Sequence, residues 1–404
     1  AKHLGVDGEA MPAYIEARRK APVPRAVRSL LDETKKRFNA RNDKGVIEAQ
    51  PEYPKTLDTL PAIQMHWILG TSLINAGKHE DGLERISETA DAALELGALS
   101  LAYSVLGDGA RQSTHHGYRE HLFRFRARLL ELARTLAPRA SVAAATINLA
   151  LAHRQLRRYD EAVPLYLKGR ELALAEKRPL FASNASFGLA YVHEKRGELS
   201  EALRVMKEDL AWWEDQPASS KKATRLDSLA SLYRGMGDWR RAVPLHEKAL
   251  AMYTATKTQH LVPGARNNLA LAYFQGGELA KALSHIERAL AEAQSARAGL
   301  RVITNIRGNM GRILARTGEG KRAVAAFRQA RADYLRMKDP DGAAGMDLLL
   351  AGLQSRRGKY DEAEANLERV IEFSAKTGLL HRQALALQQM GILRSMQDRH
   401  ADAL

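Results

Sequence analysis

The 13 histidines are the residues of this sequence best suited to bind a metal ion or transfer a proton, and their spacing fits neither role. HEK occurs at His193 and His246, but neither site continues into HExxH, which would place two imidazoles on one helical face. The densest group, His115, His116 and His121, falls at a predicted turn. We therefore predict a packing role for His193, solvated histidines at the turn, and no metal site.

The segment GEGKR, residues 318–322, looks like a phosphate-binding loop but lacks two of the residues that define one. A P-loop needs a glycine five positions before its GK glycine and a serine or threonine after the lysine. Ala315 and Arg322 occupy these positions. Cysteine is absent, which excludes thiolate metal sites and cysteine nucleophiles. We therefore predict a protein that is not an enzyme and needs no cofactor.

The charge of the chain favours acidic partners. Its 404 residues include 62 Lys and Arg against 47 Asp and Glu, a formal net charge of +15. Nucleic acid, an anionic membrane surface and acidic protein segments all fit this charge. The most apolar stretch, residues 141–152, is too short for a bilayer, which requires about 20 apolar residues. We expect a protein with no membrane span, located in the cytoplasm, with the periplasm as the alternative.

A period of 40 residues, with a single step of 41, dominates the sequence. A turn glycine recurs, with Arg157 filling the one gap, at Gly77, Gly117, Gly197, Gly237, Gly277, Gly318 and Gly358. A small residue lies seven positions before each turn and another five after it, with Leu122 as the exception. The apolar residues between them have helical spacing. The sequence therefore predicts tandem pairs of helices, each pair joined by a tight turn.

The series Ala230, Gly237, Ala242 resembles the signature of the tetratricopeptide repeat family, whose usual period is about 34 residues. The longer period, and strings such as NNLALAYFQGGELAKAL, are most similar to the repeats of kinesin light chains and of bacterial signalling regulators. This resemblance covers residues 62–404. It implies an all-α fold, a right-handed α-solenoid of antiparallel helix pairs with about eight full repeats and a partial ninth.

The two ends of the chain depart from the repeat. Residues 1–61 are rich in proline, and we expect them to form a degenerate N-terminal helical hairpin that caps the solenoid of residues 62–404. At the other end, the ninth unit begins a second helix at DRHADAL and shows no polar capping face. We therefore expect this sequence to be part of a longer protein.

The resemblance implies that the first helix of each pair lines a concave surface, with ligand-facing residues at spacing i, i+4, i+7. Asn148, Asn268 and Asn309 match the position at which related peptide-binding repeats hold a ligand backbone, because an amide both donates and accepts hydrogen bonds. Neighbouring arginines favour an acidic ligand or a free C-terminal carboxylate. Alternatively, a basic chain simply exposes arginine on every face. The candidate groove residues are Asn148, Gln155, Asn184, Tyr191, Lys195, Ser228, Arg234, Asn268, Gln275, Asn305, Asn309, Arg312 and Arg316.

Two functions follow from these observations. We predict a non-catalytic scaffold that binds a protein or peptide. Its resemblance implies the sensory or regulatory region of a larger bacterial signalling protein, of the transcription-regulator or diguanylate-cyclase type. The alternative is a basic helical solenoid that binds nucleic acid directly, although neither a helix-turn-helix nor interleaved aromatic residues stand out.

Overall fold

The computed structural model describes residues 22–137 and 141–397, and within these ranges the chain is helical and has no β-strand. It divides into two compact units, unit 1 up to Glu198 and unit 2 from Leu199 onward. In each unit consecutive helices pack against each other, which confirms the predicted all-α stack of antiparallel helix pairs. Among the helices of the described ranges, none combines the length and the hydropathy of a bilayer-spanning segment. The DRHADAL segment, residues 398–404, lies outside these ranges.

The helices of unit 1 begin with two that precede the repeats. The described part of this unit contains α1 (Arg25–Asn39), α2 (Asp43–Glu48), α3 (Leu60–Asn75), α4 (His79–Glu95), α5 (Leu99–His116), α6 (Arg119–Leu136), α7 (Val142–Gln155), α8 (Tyr159–Ala175) and α9 (Pro179–Lys195). A short 3-10 helix at Gln50–Glu52 precedes α3. From α3 onward the odd-numbered helices are the first of each repeat, here called A helices, and the even-numbered ones are the B helices.

Unit 2 continues the same alternation. Its described residues form α10 (Leu199–Glu214), α11 (Ser220–Gly235), α12 (Trp239–Ala255), α13 (Val262–Gln275), α14 (Leu279–Ser295), α15 (Leu300–Arg316), α16 (Gly320–Arg336), α17 (Pro340–Arg356), α18 (Tyr360–Thr377) and α19 (Leu380–Met396). A 3-10 helix at Gln259–Leu261 leads into α13.

The segment before α3 packs against the first A helix. Leu31 of α1, Val46 of α2 and Tyr53 form one buried cluster with Met65 and Leu69 of α3. The Tyr53 hydroxyl donates a hydrogen bond to the Val46 carbonyl oxygen at 3.0 Å. The boundary at residue 61 stays a prediction, and the first 21 residues of the predicted cap lie outside the described ranges.

The turn from each A helix to its B helix contains one residue in the left-handed region. Its φ is between 69° and 87° at the seven glycines of the 40-residue series. Arg157, which fills the gap in that series, adopts the same conformation with φ 59°. Glycine enters this region without steric penalty, whereas other L-residues bring Cβ too close to the following carbonyl oxygen, at a cost of about 1–2 kcal/mol.

A second left-handed series, which was not predicted from the sequence, follows six of the eight B helices. It follows the first by 20 residues at Gly97, Lys177, Lys257, Arg297, Lys338 and Gly378. Lysine or arginine occupies four of these six positions. The series therefore could not be recognised from regularly spaced glycines. Six of the eight helix pairs in the described ranges therefore have two turns with a left-handed residue, and glycine occupies both turns only in the first and the last of these six.

The small residues on either side of the A-to-B turn let the two helix backbones touch. A Cβ added to Gly82 of α4 would lie 2.5 Å from the carbonyl oxygen of Gly70 in α3, and one added to Gly70 would lie 3.0 Å from the Gly82 carbonyl oxygen. In most later repeats both residues are alanine, as for Ala270 and Ala282, which are fully buried. A larger side chain at either position would force the helices apart.

Replacing Gly237 with alanine should lower the free energy of unfolding, because the new residue must keep a φ of +86°. The expected loss is about 1–2 kcal/mol, measured by urea unfolding. The control is Gly235→Ala at the end of α11, where an added Cβ meets nothing within 4 Å and φ is not left-handed. This control should gain up to about 1 kcal/mol from helix propensity. Equal effects of the two substitutions would contradict the left-handed turn.

Replacing Ala242 with leucine should over-pack the contact between α11 and α12, because Ala242 is fully buried there. The expected cost is about 1–3 kcal/mol, visible as a lower melting temperature. Ala251→Leu is the control, because Ala251 lies in the same helix with its side chain exposed. That exposed substitution should change stability by less than about 0.5 kcal/mol. An unchanged melting curve for the Ala242 variant would show that the helix register is wrong.

Candidate ligand-binding site

A concave cavity of about 680 Å³ lies in unit 1 where three successive A helices, α5, α7 and α9, end in their turns. Three of the predicted groove residues, Gln155, Tyr191 and Lys195, line it. The complete lining is Ser113, Thr114, Gly117, Arg119, Leu122, Arg154, Gln155, Arg157, Tyr159, Tyr191 and Lys195. The cavity is therefore built from the ends of A helices, the turns that follow them and the starts of B helices.

Tyr191 lies between two cations at one wall of this cavity. The Arg154 guanidinium carbon is 4.6 Å from the centroid of the Tyr191 ring, and the Lys195 ammonium is 5.1 Å from it. Tyr191 and Lys195 are one helical turn apart in α9, so they share a face. Attraction between a cation and the ring face orients both charged groups. Tyr191 as a residue is 38% exposed, so it is accessible from the cavity.

The cavity is electropositive. Four of its lining residues, Arg119, Arg154, Arg157 and Lys195, are cations and none is a carboxylate. Lys195 donates a hydrogen bond to Glu194 Oε1 at 2.9 Å, and this bond raises the pKa of Lys195, although burial acts in the opposite direction. Lys195 therefore stays protonated at neutral pH.

The three arginines of the cavity have no carboxylate partner in the described part of the chain, whereas arginines just outside it do. Arg158 pairs with Glu120 at 3.3 Å, and Arg196 pairs with Asp160 at 3.2 Å. The acidic residues near the turns thus neutralise the arginines around the cavity and leave those inside it available to an anion.

The position of α9 beside this cavity depends on Gly188. Its backbone lies against the buried ring of Tyr166 in α8, where an added Cβ would be 2.3 Å from a ring carbon. Burial raises the pKa of Tyr166 to about 12, so its hydroxyl is neutral at ordinary pH. This close packing of α8 and α9 lies one helical turn before Tyr191 and fixes where that ring stands.

The two asparagines predicted for the groove in unit 1 lie away from the cavity. Asn148 in α7 and Asn184 in α9 are half-buried and lie about two helical turns before the cavity-lining ends of their helices. Neither lines the cavity. Their predicted ligand contacts stay predictions.

In unit 2 the predicted groove asparagines bond to neighbouring A helices. Asn268 donates to Asp227 Oδ2 at 2.9 Å, and the other oxygen of Asp227 accepts from His246 Nδ1 at 2.6 Å. Asn267 donates to Asn268 Oδ1 at 3.4 Å, and Asn309 donates to Asn267 Oδ1 at 3.0 Å. These bonds connect α11, α13 and α15 side by side. The amides therefore hold the A helices together, and their role toward a ligand stays a prediction.

The other predicted residues of unit 2 lie along the same A helices. Arg312 and Arg316 of α15 each have the guanidinium carbon 5.7 Å from the centroid of the Phe274 ring. Asn305 accepts a hydrogen bond from the Tyr334 hydroxyl at 2.6 Å. The remaining three are Ser228 and Arg234 in α11 and Gln275 at the end of α13.

Several lining residues of the unit 1 cavity were not predicted from the sequence. The predicted groove residues all lie on A helices, whereas Arg119 and Tyr159 lie at the starts of B helices and Arg157 lies in a turn. The sequence did contain one indication of the cavity, because Arg157 is the only residue that interrupts the turn-glycine series. A basic residue at a position that favours glycine marks the cavity.

The histidines form no metal site in the ranges that the structure describes. His193 is bonded through Nδ1 to Glu198 at 2.5 Å. The His116 ring lies against the His79 ring with centroids 4.1 Å apart and an interplanar angle of 35°. Burial, and the charges of His79 and His115, lower the pKa of His116.

Comparison with known proteins agrees with this geometry. Three tetratricopeptide repeat family models match residues 142–173, 181–255 and 228–297. A search of curated proteins gives no match to the chain.

Solved structures share the fold at low sequence identity. The apo form of the quorum sensor NprR from B. thuringiensis is 15% identical, with a TM-score of 0.58, over 86% of this chain and 98% of that one. The STAND protein PH0952 from Pyrococcus horikoshii, which has a tetratricopeptide repeat sensor, is 14% identical, with a TM-score of 0.53, over 81% of this chain and 54% of that one. A Rap protein complexed with competence and sporulation factor is 16% identical, with a TM-score of 0.52, over 75% and 95%.

At these identities the structures establish the fold alone. The three matched family models, and the paired helices in which the matched residues lie, identify this chain as a tetratricopeptide repeat protein.

Proposed function

We propose that this chain is a non-catalytic scaffold that binds a protein or peptide, and that the cavity of unit 1 receives an acidic group of that partner. The observation that carries the proposal is Tyr191 flanked by Arg154 and Lys195 in a cavity with no carboxylate. Arg119 and Arg157 add two further cations to the same cavity.

The chemistry of the cavity suits a carboxylate. A guanidinium presents parallel N–H donors that match the two oxygens of a carboxylate, and the partly exposed ring of Tyr191 can contact the aliphatic part of the same ligand residue. A volume of about 680 Å³ lies within the range of small-ligand pockets. It therefore fits one or two residues of a partner, either an acidic side chain or a free C-terminal carboxylate.

The same lining argues against catalysis at this site. Its hydroxyl groups come from Ser113, Thr114, Tyr159 and Tyr191, and no histidine or carboxylate lines the cavity to activate them. Nucleophilic catalysis by a hydroxyl requires an adjacent general base. Binding, rather than bond cleavage, is the activity that these residues support.

The wider role we propose is sensing or regulation within a larger bacterial signalling protein in the cytoplasm, of the transcription-regulator or diguanylate-cyclase type. Residues 1–61 would cap the repeats of residues 62–404. NprR is described as a quorum sensor and PH0952 as having a repeat sensor, which supports this role by analogy of fold.

Replacing Arg154 with glutamine should weaken binding of a fluorescently labelled acidic peptide with a free C-terminus. Losing a hydrogen bond to a charged group costs about 1.5–3 kcal/mol, which is about 10- to 100-fold in Kd by fluorescence anisotropy. Arg158→Gln is the matched control, because Arg158 pairs with Glu120 outside the cavity. The control should stay within about 2-fold of the parent.

A neutral, amidated version of the same peptide distinguishes recognition of the acidic groups from non-specific binding. We expect it to bind the parent protein at least about 10-fold more weakly than the acidic peptide. Equal binding of the two peptides, or an Arg154 variant as tight as the parent, would contradict the proposal.

Replacing Asn268 with alanine should lower stability, because the partly buried Asp227 loses a donor. The expected cost is about 1–3 kcal/mol in urea unfolding. Asn148→Ala is the control at the equivalent position of α7, where the described residues give the side chain no hydrogen bond. It should change stability by less than about 0.5 kcal/mol. An Asn268 variant as stable as the parent, but poorer in capturing a partner, would instead give this amide the ligand role predicted from sequence.

A further inference from the structure

Lysine and arginine occupy every left-handed position of the described ranges that is not glycine. These positions are Arg41, Arg157, Lys177, Lys257, Arg297 and Lys338, with φ between 49° and 59°. Lysine and arginine make up 62 of 404 residues, so composition alone would place about one of them among the six. Asparagine, aspartate and glycine tolerate this conformation better. The chain therefore keeps cations where the backbone favours other residues.

Three of these cations form a row in unit 2. Lys257 follows α12, Arg297 follows α14 and Lys338 follows α16, so they occupy the same turn of successive repeats, 40 and 41 residues apart. Equivalent turns of stacked repeats lie along one edge of the stack. We refer to Lys257, Arg297 and Lys338 as the turn row.

The turn row is exposed, and its members have no carboxylate partner in the described part of the chain. Cations close to it are neutralised, since Arg301 pairs with Asp339 at 2.5 Å and Arg336 pairs with Asp333 at 3.4 Å. As with the arginines of the unit 1 cavity, the nearby carboxylates pair with neighbouring cations and not with the three cations of the turn row.

The helix dipole does not explain this placement. A cation near the end of a helix is stabilised by the partial negative charge of the last carbonyl groups. However, the last helical turn provides the same benefit without a left-handed backbone, as Arg336 in α16 and Lys376 in α18 show. A requirement for positive charge at the turn itself accounts for cations at these left-handed positions, which the helix dipole does not explain.

We propose that the turn row contacts the phosphate backbone of double-stranded nucleic acid. Cations repeated at one position of successive repeats match a ligand whose charges also repeat. The residues beside them, Thr256, Thr258, Ala296, Ala298, Met337 and Asp339, include no aromatic ring on which an unpaired base could stack. The contact is therefore to phosphates of a duplex, without sequence preference. It is separate from the peptide site, since it uses another surface in the other unit.

The test is a triple variant, Lys257→Gly, Arg297→Gly and Lys338→Gly, compared with a charge-matched control, Lys248→Gln, Lys281→Gln and Lys359→Gln. Both lose three positive charges from unit 2, but the control positions lie on helices or at the start of one. Binding of a fluorescently labelled duplex DNA is measured between about 50 and 200 mM salt, where each phosphate contact contributes about 0.9 to the log–log salt slope.

We expect the parent to bind the duplex and the turn variant to lose about 2.7 in salt slope and at least about 10-fold in affinity. Its melting temperature should rise, because glycine relieves the left-handed strain. Weaker binding together with higher stability distinguishes a lost contact from a damaged fold. The control variant should retain most of the affinity and slope.

Several results would overturn the proposal. They are an absence of duplex binding by the parent at about 50 mM salt, an unchanged slope in the turn variant, an equal loss in the control, or a lower melting temperature of the turn variant. Loss of acidic-peptide binding in the turn variant, with duplex binding intact, would assign the row to a protein partner instead. The Arg154→Gln protein should bind duplex DNA like the parent, so failure of the peptide site leaves this test unaffected.

Discussion

The close approach of two helix backbones is the constraint on which the rest of each repeat depends. Gly70 and Gly82 show it directly, because neither has room for a Cβ beside the other's carbonyl oxygen. Helices that touch in this way need a short connection, and a single left-handed residue seven positions after the first contact provides it. Side chains near that turn are consequently brought to the same place in every repeat. The turn ends of the A helices can therefore form a cavity such as that of unit 1.

The helix pairs could be predicted from the sequence because small residues recur in it at fixed spacing. Glycine and alanine at fixed spacing indicated the helix pairs, and the A-helix stripe located Gln155, Tyr191 and Lys195 at the cavity. The sequence could not show features that depend on contacts between repeats. The bond from Asn268 to Asp227 joins residues 41 positions apart, and it gives this amide a role between helices in addition to the ligand contact predicted from sequence. The second turn series was hidden for a different reason, because lysine and arginine replace glycine there.

The arrangement of carboxylates matters more for this protein than the total charge of +15. Many arginines are neutralised within the stack, and the most buried example is Arg225 with Asp209 at 3.1 Å in unit 2. Exposed pairs contribute at most about 1 kcal/mol each to stability. Their larger effect is on where positive potential remains, since a paired arginine offers little to an external anion. In the described ranges, the three arginines of the unit 1 cavity and the turn row of unit 2 are among the cations that have no carboxylate partner.

The single step of 41 residues shows where this chain accommodates an insertion. A small A-helix residue follows Lys257 by 13 positions and Lys338 by 13, but Gly311 follows Arg297 by 14. The packing on the far side is intact, since the Gly311 backbone still lies against Phe327, where an added Cβ would be 2.6 Å from the ring. The additional residue is therefore absorbed in the connection around Ala298 and Gly299, before α15 establishes its contacts. Connections between repeats thus tolerate changes in length that the turns within repeats do not, which makes this connection the natural place to introduce an epitope tag or a fluorescent reporter.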